Sequence, residues 1–317
     1  MNTKEPLDLG QRIHLIDGFD LGMPERTGTY VITDEELTLI ETGPSPSVPY
    51  IREGLAKLGY SLEEVKYIIV THIHLDHAGG AGLFMQECPN AKIVVHPKGA
   101  RHLVDPSRLI EGAKAVYREQ FDSLFDPIVP VPEERLLIRA DGETLAIGPA
   151  CTLEFLDSPG HANHHFSIYD PVSKGMFTGD TAGVHYPQLK KEGLHLVLPS
   201  TSPNQFDPEK MLHSIARYRE YNLNRIYFGH FGKTDQVEDV YRQVTAWLPV
   251  FVSEGEAVMA AGLGFEELAS RLLNRVMDDL QTAGISKQHE VFGILKLDLE
   301  VCSMGILDYL QKRAQNG

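Results

Sequence analysis

The sequence predicts an α+β fold: two β-sheets packed together with helices outside, an α/β sandwich, followed by a helical extension. Three observations predict it. Up to His230 the chain runs in blocks, β-rich, then helical, then β-rich, then helical. After His230 it is nearly all helical, at 234–258, 264–282 and 287–313. Between the first two blocks an apolar, β-branched run at 66–70 delivers a ligand-rich loop, Val70-Thr71-His72-Ile73-His74-Leu75-Asp76-His77-Ala78-Gly79-Gly80. Two regions follow: a sandwich over 1–232 and an extension over 233–317 that needs the sandwich to bury its apolar faces.

In chain order, residues 11–17 and 28–41 read as strands, the second stretch as a hairpin turning at Asp34-Glu35-Glu36. Thr42 to Pro46 is a loop by its Gly and Pro content. A helix over 48–58 carries Ile51, Leu55 and Leu58 on one face, and Ser61 to Glu64 has the spacing of a capping box. A helix is expected from Gly80 to about Glu87, a strand from Ala91 to His96, and helical segments over 98–125, broken at Asp105-Pro106. Pro127, Pro130 and Pro132 mark a loop. Strands recur at 135–139, 144–147, 151–156, 165–169 and 174–178, then a helix at 208–221 and a last strand from Arg225 to Phe228.

Composition is that of an ordinary globular chain, long enough for a large core. The net charge of −15, from 29 basic and 44 acidic residues, disfavours a nucleic-acid partner. Cys88, Cys151 and Cys302 are odd in number and far apart, which suits buried thiols in a reducing, cytoplasmic setting. The N-terminus, Met1 to Pro6, lacks the pattern of a signal peptide, and no apolar run is long enough for a membrane span, so no membrane partner is expected.

The loop at 72–77 carries the chemistry. Four metal-capable side chains, His72, His74, Asp76 and His77, fall within six residues. One surface histidine reads as an ordinary turn residue. Neighbouring imidazoles and a carboxylate gain little without a cation, so this cluster reads as a metal site. Residues at spacing two point the same way in extended chain, so His72, His74 and Asp76 converge while His77 reaches a second point. Two adjacent metal ions would share such a loop. Three later segments repeat one form, an apolar strand ending in Gly and then a ligand: Gly160-His161, Gly179-Asp180 and Gly229-His230. The glycine is expected to let a metal approach closely.

HxHxDH at 72–77, PGH at 159–161, GD at 179–180 and GH at 229–230 together make the sequence similar to the metallo-β-lactamase superfamily. The resemblance covers about residues 10–232. It implies an αββα sandwich, with His72, His74 and His161 on one metal, Asp76, His77 and His230 on a second, and Asp180 bridging. The β-lactamases proper usually place Cys where Asp180 stands, so the resemblance points to the glyoxalase II and lactonase branch rather than to a true β-lactamase. Ala162 stands where glyoxalase II enzymes tend to have Thr. The implied cofactor is two zinc ions per chain, although iron or manganese fits such a mixed N and O set. The implied reaction is hydrolysis of a thioester, lactone or ester of a small molecule by a metal-bridging hydroxide, with Asp76 orienting the nucleophile.

Several further residues are candidates. His185 and Tyr186, five and six residues past Asp180, are expected to rim the pocket and touch the substrate carbonyl or donate a proton. His164 and His165, read as opposite faces of a strand, offer a support for a ligand. Phe265–Val276 and Phe292–Leu310 are apolar enough to form a lid over the site or a homodimer interface. The competing activities are a phosphodiesterase and an iron-dependent oxidoreductase of the persulfide dioxygenase kind, since the same core supports both.

Overall fold

A computed structural model describes residues 4–316. Residues 1–3, which open the stretch read as lacking a leader, lie outside it. The chain divides into two compact units. The first comprises residues up to Ser158, His164–Gly179 and Tyr218–Val237.

Its first sheet has seven strands in sequence order: β1 (Leu7–Asp8), β2 (Ile13–Asp17), β3 (Gly28–Ile32), β4 (Leu37–Ile40), β5 (Val65–Ile69), β6 (Lys92–Val95) and β7 (Leu136–Ile138). β1 to β4 form an antiparallel meander, with the expected hairpin between β3 and β4, and β4 to β7 run parallel. The parallel pairs need crossovers. These are α1 (Val48–Lys57), α2 (Leu75–Ala78), α3 (Ala81–Glu87), α4 (Pro97–Val104), α5 (Ser107–Tyr117) and α6 (Phe121–Phe125). The expected helical block at 98–125 breaks at Asp105-Pro106 and again at Arg118, whose φ of 50° ends α5. A capping box closes before β5, where the Ser61 amide donates to Glu64 Oε2 at 2.8 Å.

The second sheet contains β8 (Thr144–Gly148), β9 (Cys151–Asp157), β10 (Phe166–Asp170) and β11 (Gly175–Phe177). Past the two-stranded pair β12 (Val184–His185) and β13 (Val197–Leu198), it is completed by β14 (Arg225–Tyr227) and β15 (Lys233–Thr234). One core lies between the two sheets: Leu15, Tyr30, Ile40, Ile69 and Val94 face Leu153, Phe155, Phe166, Phe177 and Tyr227. Burying each such side chain stabilises the fold by about 1.5–3 kcal/mol. A second core, with Ile51, Leu55, Ile68, Phe84, Ile93 and Leu103, covers the other face of the seven-stranded sheet with helices. This is the α/β sandwich the block order predicts. The sheets are also tied by charge: Arg12 holds Asp34 at 2.7 Å and grips Asp170 with two bonds of 3.1 and 3.2 Å. Burial pushes the Asp170 carboxyl up, and the Arg12 bonds outweigh it, so its pKa is lowered.

The second unit is Pro159–Asn163, Asp180–Arg217 and the described residues from Glu238 on. It therefore does not coincide with a cut at 232, because residues 180–217 group with the C-terminal helices. It contains β12, β13, most of α7 (Pro208–Arg219), and the helices α8 (Val237–Ala260), α9 (Phe265–Thr282) and α10 (Val291–Asn316). The three long helices start within four residues of the predicted positions. Gly255 lets them pack closely, since a Cβ there would sit 2.5 Å from Ile306 and 3.0 Å from Leu310. Trp247 and Phe251 on α8 meet edge to face with centroids 6.1 Å apart. Among the described residues no helix is long and apolar enough to cross a membrane.

Candidate metal centre

The first unit supplies five of the predicted ligands. β5 ends at Ile69, the chain bends at Thr71 and His72, and His74 has extended backbone. Leu75–Ala78 is a helical turn, so Asp76 and His77 leave that alternation. The expected convergence of Asp76 with His72 and His74, argued from extended chain, is corrected here: a helical turn does not keep the spacing-two alternation. His72 Nε2 and His74 Nδ1 lie 3.1 Å apart, which aims two imidazole nitrogens at one point. Asp76 joins a different set. Its Oδ2 lies 3.5 Å from His77 Nε2 and 3.6 Å from His230 Nε2. Asp76, His77 and His230 offer ligand atoms all within 4.8 Å of one another, the geometry a bound ion needs.

Tyr30 fixes the segment that carries His230. Its hydroxyl lies 2.6 Å from the Phe228 carbonyl and 2.7 Å from the Gly232 carbonyl. The Gly229 amide also donates to the Gly179 carbonyl at 3.2 Å, joining the ends of β14 and β11.

Glu41 is a candidate that the sequence pattern does not single out. It is buried, follows β4, and has a positive φ of 68°. Thr71 Oγ1 donates to its carboxylate, and His77 Nδ1 lies 3.4 Å from Glu41 Oε1. Thr71 Oγ1 is also 3.0 Å from His72 Nδ1. With the Thr71 proton given to Glu41, His72 Nδ1–H donates to Thr71, and Nε2 is left as the lone-pair nitrogen. One carboxylate thus braces two predicted ligands, His77 directly and His72 through Thr71. Its signal was in the sequence, an acidic residue after an apolar strand and one residue ahead of Thr42-Gly43, but it lacked the Gly-then-ligand order.

Asp20 lies close to the same set. Burial pushes its carboxyl up to about 6, Arg26 at 3.3 Å pulls it down, and the Asp76 charge raises it. The strand reading of His164 and His165 is corrected: both precede β10, His164 in a turn and His165 between that turn and the strand, and both rings neighbour His72, with centroids 6.3 and 5.0 Å away. His165 Nδ1 also lies 2.8 Å from Ser158 Oγ.

The second unit holds the other two predicted ligands, His161 and Asp180. His161 Nε2 lies 3.7 Å from Asp180 Oδ2. His161 Nδ1 is 3.1 Å from the Ser200 carbonyl. A carbonyl has no proton, so this bond requires the Nδ1–H tautomer and leaves Nε2 as the ligand atom. Ser200 Oγ donates to Asp180 Oδ2 at 3.0 Å, and Ser202 Oγ lies 3.4 Å from His161 Nε2.

The glycines ahead of two predicted ligands stand close against protein atoms. A Cβ on Gly160 would strike Met211 Cα at 2.4 Å, and one on Gly179 would strike His165 Nε2 at 2.4 Å and Thr71 Oγ1 at 2.6 Å. They make room for protein atoms. His185 and Tyr186 fall on and just after β12, both buried. The His185 ring is 5.3 Å from that of His195, and the Tyr186 hydroxyl donates to Asp298 at 3.0 Å.

The donor set, imidazole nitrogens with carboxylate oxygens, suits zinc and also iron or manganese. The metallo-beta-lactamase superfamily model matches residues 24–230.

The chain belongs to the metallo-beta-lactamase superfamily.

Within the superfamily it is 27% identical over 225 residues to a metallo-beta-lactamase fold-containing protein of Sulfurisphaera tokodaii, covering 69% of this chain and 78% of that one. It is 28% identical over 220 residues to an N-acyl homoserine lactonase of Bacillus thuringiensis, covering 67% and 74%. Across the first three curated relatives the matched stretch spans 51% to 78% of the relative's length. A solved metallo-beta-lactamase family protein of Thermus thermophilus superposes with a TM-score of 0.66 at 21% identity, over 97% of this chain and 95% of that one. That likeness speaks for the fold and extends past the superfamily match at 230.

Proposed function

We propose that the protein is a dinuclear metal-dependent hydrolase of a lactone, ester or thioester of a small molecule. The observation that carries the reading is the convergence of Asp76, His77 and His230, with Glu41 behind both His77 and the Thr71–His72 pair. By the resemblance, His72, His74, Asp76, His77, His161, Asp180 and His230 would hold the two ions. Two divalent ions, zinc first, would supply Lewis acidity toward a carbonyl and lower the pKa of water toward neutrality.

The chain's own groups do the rest. Asp76 is part-exposed and sits between two imidazoles, so it can accept a proton from the attacking water and orient it. Glu41 and the Ser200 carbonyl hold imidazole tautomers so that no ligand must reorient during turnover. The lactonase relatives support a cyclic ester, and the leaving group is then an alkoxide that remains on the product. His185 and Tyr186 remain candidate substrate contacts. His185→Ala and Tyr186→Phe with unchanged kcat/KM would remove them. The three cysteines are free and buried, in keeping with a reducing compartment.

The test is elemental analysis of protein purified without added metal, beside a panel of lactones, thioesters and phosphodiesters. About two zinc ions per chain with lactone or thioester turnover is the expected result. Phosphodiester turnover alone, or one iron with oxygen uptake on a thiol substrate, would overturn it.

A further inference from the structure

A stripe on α10 faces the segment that holds His161 and Asp180. Cys302, Gly305, Tyr309 and Lys312 are spaced three, four and three apart, one face of a helix. Each meets a residue of 199–206. Thr201 Oγ1 donates to the Cys302 carbonyl at 2.9 Å, and the Cys302 thiol donates to the Pro199 carbonyl at 3.7 Å. Burial pushes that thiol up to about 11, which keeps it a donor at neutral pH. Tyr309 packs edge to face on Phe206, and Lys312 donates to the Asn204 carbonyl at 2.6 Å. Gly305 is the closest approach: a Cβ there would lie 1.8 Å from the Thr201 carbonyl oxygen and 2.6 Å from the Ser202 carbonyl carbon. These obstacles are backbone and cannot swing aside. One turn earlier Asp298 accepts from Tyr186 at 3.0 Å.

The segment so held supplies the Ser200 carbonyl to His161 Nδ1, the Ser200 hydroxyl to Asp180, and the Ser202 hydroxyl near His161 Nε2. We propose that α10 is a positioning element for the metal ligands, with Gly305 and Cys302 setting the place of residues 200–202 and through them the tautomer of His161 and the aim of Asp180. α10 lies wholly outside the stretch matched to the superfamily. None of its stripe residues need touch metal or substrate. Its role is therefore distinct from the lid or dimer interface expected of the extension. The proposal rests on the metal reading above for its ligand roles.

α10 provides its own control. A Cβ on Gly293, in the same helix, meets nothing within 4 Å. Gly293→Ala and Gly305→Ala both raise helix propensity, and only the second disturbs 200–202. Full-length protein of each is titrated with zinc against a chelator, and the imidazole nitrogens of the metal-free proteins are assigned by NMR. Gly305→Ala is expected to bind at least one zinc about tenfold more weakly and to lose the fixed Nδ1–H tautomer of His161, in the range that loss of a ligand's support costs. Gly293→Ala should match the wild type on both. A folded Gly305→Ala with zinc affinity within about twofold of wild type and the same tautomer overturns the proposal. If Gly305→Ala does not fold, Thr201→Val decides: a loss of about threefold in affinity is expected, and no loss overturns. Wild-type protein that binds no zinc sinks the metal reading instead, and the tautomer comparison in metal-free protein then decides this proposal alone.

Discussion

The predicted ligands of the two units are braced by different means. His72 and His230 follow strands β5 and β14, Asp76 and His77 stand on the helical turn after β5, and Glu41, Thr71 and Tyr30 brace these segments. His161 and Asp180 also follow strands, β9 and β11, but the partner that braces both is Ser200, in a segment that α10 contacts. In the first unit the brace is a buried polar group beside the sheet. In the second it is a segment only as well placed as the helix behind it. The difference says where substitutions will act on metal binding without touching a ligand: at buried polar groups in the first unit, and at helix contacts in the second.

Four outcomes sharpen or break that contrast. The largest is expected at a ligand. His77→Ala should lower kcat/KM about a thousandfold, roughly 4 kcal/mol of transition-state stabilisation, with loss of metal seen by elemental analysis. A variant that keeps both metal and rate would mean that Asp76, His77 and His230 are not the centre.

Asp20 comes next. A carboxyl raised in the fold stabilises it below the unfolded value of 3.8, and that contribution is lost as pH rises through about 6. Metal-free wild type should therefore lose up to about 3 kcal/mol relative to Asp20→Asn between pH 4 and pH 7.5, read by urea unfolding. Parallel pH profiles for the two proteins would remove the buried-acid account.

Glu41→Gln keeps the shape and removes the charge that orients His72 and His77. Metal affinity should fall about tenfold to a hundredfold with little loss of helix or strand signal. An unchanged chelator titration would mean the sheet alone aims those ligands. The smallest effect is expected on the helix-backed side, where Tyr186→Phe removes the donor to Asp298. Thermal unfolding should register about 1 kcal/mol. If kcat/KM also fell more than tenfold, Tyr186 would be a substrate contact rather than a tether.

The sequence made the sandwich legible because β-branched runs such as Val65–Ile69 and Lys92–Val95 have one reading, and the ligand loops because their residues cluster. The late helices were legible from amphipathic length. What stayed hidden was held by long-range contact. β12 and β13 are two residues each and pair across a loop, with no periodicity to show them. Glu41 and Thr71 are thirty residues apart and meet only because β4 and β5 are neighbours. The extended reading of Asp76 failed because the helix begins one residue earlier, at Leu75, where no capping side chain announces it. The grouping of 180–217 with α10 was likewise unreadable, since nothing local in Ser200–Ser202 names a partner at Cys302.

Trp247 is the one tryptophan of the chain, and it belongs to the helical unit, beside Phe251 on α8. The protein thus carries its own optical label in that unit. Excitation at the red edge of the band reports the helical unit alone, whereas far-ultraviolet circular dichroism weighs both. Emission that shifts before the ellipticity falls would mean that the helices around Trp247 come loose while the first unit keeps its structure. Coincident transitions would mean that the two units melt as one.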